Sequence, residues 1–196
     1  MKIVVVSQRI DFSAELNEYR DALDQRLIAF IANVGAIAIP VPNTLINSNQ
    51  LDVWLLKIKP SAVLLSGGSD IGTYQARDLT ERALLDYAQR RMLPLLGICR
   101  GMQMLGVRAE TELKPVIGHV GARHQLSGRI EGEANSFHNQ ALIDVPVDYT
   151  LLARSEDGEI EAIRHIRLPW EGWMWHPERE TLFASRDIYR LRALLT

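Results

Sequence analysis

The chain has a single cysteine, no long apolar run and almost no excess of charge of either sign. One cysteine excludes an internal disulfide, so Cys99 is either a small buried hydrophobe or a working thiol. No apolar stretch approaches the roughly 18 residues of a membrane span, and the opening run Ile3 to Val6 is too short for the core of a signal peptide. A cytoplasmic protein is therefore expected. A net charge of −2, with Lys and Arg scattered through the chain, offers no continuous basic stripe for a phosphate backbone. Neither nucleic acid nor a membrane is an expected partner. Internal repeats, low-complexity tracts and Pro/Gly-rich linkers are also missing, so the 196 residues are expected to form one domain, 1–196.

Short β-rich apolar runs alternate with longer amphipathic segments. Lys2 to Ser7, Ala36 to Val41, Ala62 to Ser66 and Leu93 to Cys99 read as strands; Leu16 to Asn33, Asn49 to Lys57 and Arg77 to Arg91 read as the helices between them. Such alternation favours a mostly parallel sheet covered by helices on both faces, because parallel strands need crossover connections. The expected fold is a three-layer α/β/α sandwich. The second half changes character: Gly118 to Gly132 reads as turn-rich, and Glu156-Asp157-Gly158 between Leu151 to Arg154 and Glu159 to His165 predicts an added antiparallel hairpin. Gly172 to His176 reads as a further strand and Ser185 to Leu195 as a closing helix.

The chemistry concentrates at Gly97-Ile98-Cys99-Arg100-Gly101. A thiol between a buried strand and a helix starting near Arg100, with a glycine two residues to either side, is the cysteine analogue of a nucleophile elbow. The helix N-terminus favours thiolate over thiol there. A lone cysteine on an apolar strand is more often inert; the flanking glycines favour the nucleophile. Ser66-Gly67-Gly68-Ser69-Asp70 follows the third strand and emerges at the same sheet edge, where α/β sheets bind ligands. The Gly68 N–H, with that of Arg100, then suits an oxyanion hole, although Gly-Gly after a strand is often only a tight turn. Trp175-His176-Pro177-Glu178 supplies a general base, His176, and an orienting carboxylate, Glu178, across a proline-fixed turn. The acid follows the histidine, which argues against an esterase of the α/β-hydrolase type.

Together, Gly97 to Gln103, Ser66 to Asp70 and Trp175 to Glu178 resemble the class I glutamine amidotransferases over most of the chain. Arg100, Arg77-Asp78 with Glu81, and Asn135 to Gln140 resemble its γ-glutamyl-γ-aminobutyrate hydrolase branch (peptidase C26). Within that branch, the short length, His119-Val120-Gly121 with His124, and Met174 to Glu180 are most similar to the γ-glutamyl-CDP-amidate hydrolases of capsule biosynthesis. The resemblance implies a flavodoxin-like sheet and a Cys99-His176-Glu178 triad. It also implies that Gln103 contacts the γ-glutamyl group and that the backbone of Ser136, Phe137 and His138 holds its α-amino and α-carboxylate groups. Arg108 to Lys114 is shorter than in longer members, which bears on the leaving-group pocket.

The expected reaction is hydrolysis of a small-molecule γ-glutamyl amide through a thioester, releasing glutamate and an amine or amidate. Arg100, Arg123 and Trp175 are the leaving-group contacts suggested by motif position. A glutaminase feeding ammonia to a partner synthase shares the triad, and a non-catalytic binding protein shares the fold. A homodimer and a partner synthase both stay open. No cofactor is expected, and no metal is assigned, because His119 and His124 lack a carboxylate or thiolate neighbour in the sequence.

Overall fold

The computed structural model describes residues 1–196. Its first strand, β1 (Lys2–Ser7), is apolar on both faces from Ile3 to Val6, as a strand covered twice must be. After it come β2 (Arg9–Ser13), β3 (Glu18–Ala22), α1 (Gln25–Asn33), β4 (Ala36–Val41), α2 (Thr44–Asn47) and α3 (Leu51–Ile58). The middle of the chain carries β5 (Ala62–Leu65), α4 (Gln75–Arg91), β6 (Leu95–Ile98) and α5 (Arg100–Arg108). The second half adds β7 (Leu113–Pro115), β8 (Val120–Gly128), β9 (Gly132–Phe137), β10 (Gln140–Leu142), β11 (Tyr149–Arg154), β12 (Ile160–His165), β13 (Trp170–Trp173) and α6 (Ser185–Leu195).

Nine strands form one sheet in the order β4-β1-β5-β6-β13-β12-β11-β8-β9. The first five are mutually parallel, and in chain order they read 2-1-3-4-5, the flavodoxin-like arrangement. The last four continue antiparallel. Alternating side chains divide the interior. Val4, Val6, Leu64, Leu96 and Ile98 pack with α1 and α6 on one face, while Val5, Val63, Leu65 and Leu95 pack with α3, α4 and α5 on the other. The two clusters hold 22 and 19 buried residues, so both faces are sealed and the α/β/α sandwich is complete. No helix is long and apolar enough to cross a membrane.

The structure corrects two expectations, a helix start and a turn-rich segment. The helix expected from Leu16 starts only at Gln25, where Asp24 caps it by accepting the Arg26 N–H at 2.8 Å. Residues 9–22 instead form the β2–β3 hairpin, whose register from Arg9↔Ala22 to Ser13↔Glu18 leaves most side chains in solvent. The helix expected over Asn49 to Lys57 is α3, preceded by the single turn α2. The turn-rich segment Gly118 to Gly132 is mostly β8, a nine-residue strand paired with β9. It lacks apolar alternation because its buried positions are His124 and Leu126.

Strand β13 is anchored from beneath. Buried Glu171 accepts two hydrogen bonds from Arg190 of α6, at 2.6 and 3.0 Å, and one from Trp173 Nε1 at 3.0 Å. Arg190→Ala therefore leaves a buried carboxylate short of donors. The loss in unfolding free energy should be about 2–3 kcal/mol, below the cost of a fully buried pair because Arg190 is 23% exposed. Urea denaturation checks this, and adding Glu171→Leu should recover part of the loss; an unchanged midpoint in Arg190→Ala would contradict the anchor.

Candidate active site

Between β6 and α5 the chain turns at Cys99 with φ 49° and ψ −106°, a conformation that L-residues rarely hold and that costs on the order of 1–3 kcal/mol. The surroundings fix it. The Cys99 N–H donates to the Trp173 carbonyl at 2.7 Å, and the Cys99 carbonyl accepts the Gln103 N–H at 3.0 Å. A Cβ on Gly97 would come within 2.5 Å of the Gly101 carbonyl oxygen, and one on Gly101 would overlap the Leu65 carbonyl of β5. Both glycines are thus required by close approach of backbone to backbone. The thiol is free, buried and seated at the start of α5, where unpaired amides and the helix dipole favour an anion.

His176 arrives from the end of β13, beside β6. Its Nδ1 lies 2.6 Å from Glu178 Oε1, and both side chains are buried. Asn135 of β9 clasps the His176 backbone from both sides: its Oδ1 accepts the N–H at 2.9 Å and its Nδ2 donates to the carbonyl at 2.8 Å. The Glu178 carbonyl is held by Arg26 Nε at 2.7 Å. Gly67 lies against the imidazole, since a Cβ there would overlap the ring and stand 3.3 Å from Nε2. Burial alone would lower the His176 pKa, but interactions with Cys99 and Glu178 outweigh it and raise the value to about 9. The imidazole is therefore held in its charged form at neutral pH.

The Ser66-Gly67-Gly68 loop leaves β5 at the same edge, and a buried network holds it. Arg77 Nη2 donates to the carbonyls of Ser66 at 2.8 Å and Gly67 at 2.9 Å, while Arg77 Nε binds Glu81 at 3.0 Å. Arg100 closes the network against Glu81 and Asp78, and Ser7 Oγ bridges Glu81 to the Ser66 N–H. Desolvation lowers the Arg77 pKa despite the neighbouring Glu81. Gly68 has φ 138°, and its N–H makes no backbone hydrogen bond; the Arg100 amide sits in the first turn of α5.

The remaining sequence candidates separate. Gln103 Nε2 donates to the Gln140 carbonyl at 3.0 Å, and Ser136 Oγ donates to the His119 carbonyl at 2.6 Å. Phe137 meets the His176 ring edge-on at 5.8 Å, whereas the His138 side chain turns inward and is buried. Arg100 and Trp175 cannot touch a leaving group through their side chains: Arg100 is consumed by Glu81 and Asp78, and Trp175 stacks on Trp173 and donates to Asp187. Arg123 is paired with Glu133 and Glu180. The cations that do line the cavity with Gly67, Gly68 and His176 are Arg9 and Arg179. Arg9 sits on the β2–β3 hairpin, which no sequence signal announces; Arg179 follows Glu178 directly and is within reach of the motif. His119 and His124 do have a carboxylate neighbour after all, because β12 brings buried Glu161 beside them.

Removing the Cys99 side chain should lower the His176 pKa, since Cys99 contributes to its elevation. NMR titration is expected to give a value near 9 in the native protein and a lower one in Cys99→Ala. The stability carried by protonated His176 should be complete below about pH 6.5 and disappear as the pH rises through about 9. An identical titration in the two proteins would show that the thiol and the ring are uncoupled.

Comparison with known proteins places the chain among relatives of one kind. The chain is 34% identical over 139 residues to the γ-glutamyl-CDP-amidate hydrolase of Campylobacter jejuni, covering 68% of this chain and 70% of that one. It is 28% identical over 145 residues to the GMP synthase (glutamine-hydrolysing) subunit of Thermococcus kodakarensis, covering 68% and 74%. The crystal structure of a GMP synthase subunit protein of Thermoplasma acidophilum shares the fold with a TM-score of 0.72 at 19% identity, over 100% of this chain and 94% of that one. The family model for glutamine amidotransferase class I matches residues 16–189, and the chain belongs to that family.

Proposed function

We propose that this chain hydrolyses a γ-glutamyl amide, with Cys99 as nucleophile, His176 as general acid and base, and Glu178 as the group that orients the imidazole. The observation that carries the reading is the strained Cys99, buried at a helix start and coupled to a histidine whose pKa stands near 9. Cys99 Sγ attacks the γ-carbonyl, and the Gly68 and Arg100 N–H groups receive the oxyanion. His176 protonates the departing nitrogen, leaving a γ-glutamyl thioester. It then takes a proton from water, which attacks the thioester and frees glutamate. Gln103 and the backbone of Ser136, Phe137 and His138 hold the glutamyl end. Residues 1–196 act as one catalytic domain, and a working free thiol suits a reducing compartment, the cytoplasm.

The leaving group in this reading is an anionic, nucleotide-linked amidate, as in γ-glutamyl-CDP-amidate and a capsule pathway. Two features support it: the identity to the Campylobacter jejuni enzyme, and Arg9 and Arg179 at the cavity, with Arg179 poised 4.5 Å above the Phe137 ring. A second reading, supply of ammonia to a partner synthase, is favoured by the relatives that are synthase subunits.

Steady-state assays separate the two. The chain alone should prefer γ-glutamyl-CDP-amidate to free glutamine by more than about tenfold in kcat/KM, equivalent to roughly 1.4 kcal/mol of transition-state binding. Arg179→Gln and Arg9→Gln should erode that preference while leaving glutamine turnover unchanged. A preference below tenfold, or activity appearing only with an added synthase, would favour the ammonia-delivering role.

A further inference from the structure

Three of the chain's five histidines converge away from Cys99, on the antiparallel half of the sheet. His119 precedes β8, His124 lies within it, and His138 follows β9, while Glu161 projects from β12. All four are buried. His119 Nδ1 and His138 Nε2 are 3.2 Å apart, His138 Nε2 and Glu161 Oε1 3.3 Å, and His119 Nδ1 and Glu161 Oε1 3.7 Å. These are the edges of a tetrahedron around an ion bound at about 2.0–2.1 Å, whose ligand atoms stand roughly 3.3 Å apart. A ring nitrogen of His124 lies within 4.8 Å of the donor atoms of both His119 and Glu161.

The outward nitrogens fix what the inward ones can do. His119 Nε2 faces Asp157 Oδ2 at 2.8 Å, and His138 Nδ1 faces the Gln140 carbonyl at 3.1 Å. Both partners only accept, so each ring gives its N–H outward and turns a lone pair inward. Two lone pairs and a carboxylate oxygen therefore meet with no donor among them. A carboxylate on one histidine and a backbone carbonyl on the next is also the outer shell that metal-bound imidazoles carry. His124 Nδ1 points toward the exposed Glu156 at 3.6 Å, and its Nε2 is buried with no hydrogen-bond partner. A shared proton would relieve one of the short pairs and still leave His124 Nε2 unsatisfied; a cation satisfies the three close donors and offers His124 Nε2, on the His119 and Glu161 side, a partner.

We propose that His119 Nδ1, His138 Nε2 and Glu161, joined by His124 Nε2 from the side of His119 and Glu161, form a structural site for one divalent transition-metal ion, with zinc the ion that imidazoles and a carboxylate fit best. Buried ligands with no open position mark a structural role. The ion pins the β8–β9 hairpin, which has few buried apolar residues, to β12. It also sets the Gln140 carbonyl, which accepts from both His138 and Gln103, and so braces the wall of the candidate active site.

Elemental analysis of the whole protein after incubation with zinc and removal of excess should find one ion per chain, retained in Cys99→Ala. Chelation should lower the melting temperature by about 5–15 °C, restored by zinc alone. Cobalt in place of zinc should show the visible absorption of a tetrahedral ion. His124→Gln should weaken zinc binding at least about tenfold, and Asp157→Asn, at a half-exposed outer position that folding tolerates, by about 10–100-fold. Substoichiometric metal with an unchanged melting temperature would overturn the site in favour of a proton-bridged histidine cluster. Loss of the ion in Cys99→Ala would overturn its location.

Discussion

The fold delivers one uncommon backbone conformation, and the rest of the site depends on it. Cys99 holds φ 49° because β6 must turn directly into α5 while Gly97, Gly101 and Leu65 bring three stretches of backbone into contact. Side chains at either glycine would force those backbones apart, and the thiol would leave the helix start that favours its anion. The hydrogen bond from Cys99 N–H to the Trp173 carbonyl ties the same turn to β13, the strand that delivers His176. The proposed nucleophile and base are therefore registered by one strand pair, Trp173↔Ile98.

Charge is handled in the same manner. Arg77 and Arg100 are buried, and each is matched by Glu81, with Asp78 added at the partly exposed end. Removing one member would strand a charge in the interior at a cost of about 3–5 kcal/mol, so the network acts as a brace between the Ser66-Gly67-Gly68 loop and α5. The Arg100 side chain lies behind the candidate site, consumed by Glu81 and Asp78.

Local features were legible in the sequence. Gly-x-Cys-x-Gly and His-Pro-Glu each carry their geometry within a few residues, and the alternation of apolar runs with amphipathic segments defined the parallel half of the sheet. Features built across the chain were not. Residues 16–33 keep a helical spacing of apolar side chains through Leu16, Tyr19 and Leu23, yet residues before Asp24 pair as a hairpin. The β8 strand hid because histidine shares its buried face with a single aliphatic residue, Leu126. The Asn135 clasp on His176 and the approach of Glu161 to His119 join positions remote in sequence, and no spacing rule connects them.

The central claim is that a covalent γ-glutamyl thioester forms at Cys99. Acid-quenching the enzyme during turnover of a γ-glutamyl amide and measuring its intact mass and peptide map tests it directly. The account predicts an enzyme heavier by one γ-glutamyl group, with the addition confined to the peptide carrying Cys99 and absent from Cys99→Ala. Unmodified Cys99 throughout turnover, together with undiminished hydrolysis by Cys99→Ala, would contradict it.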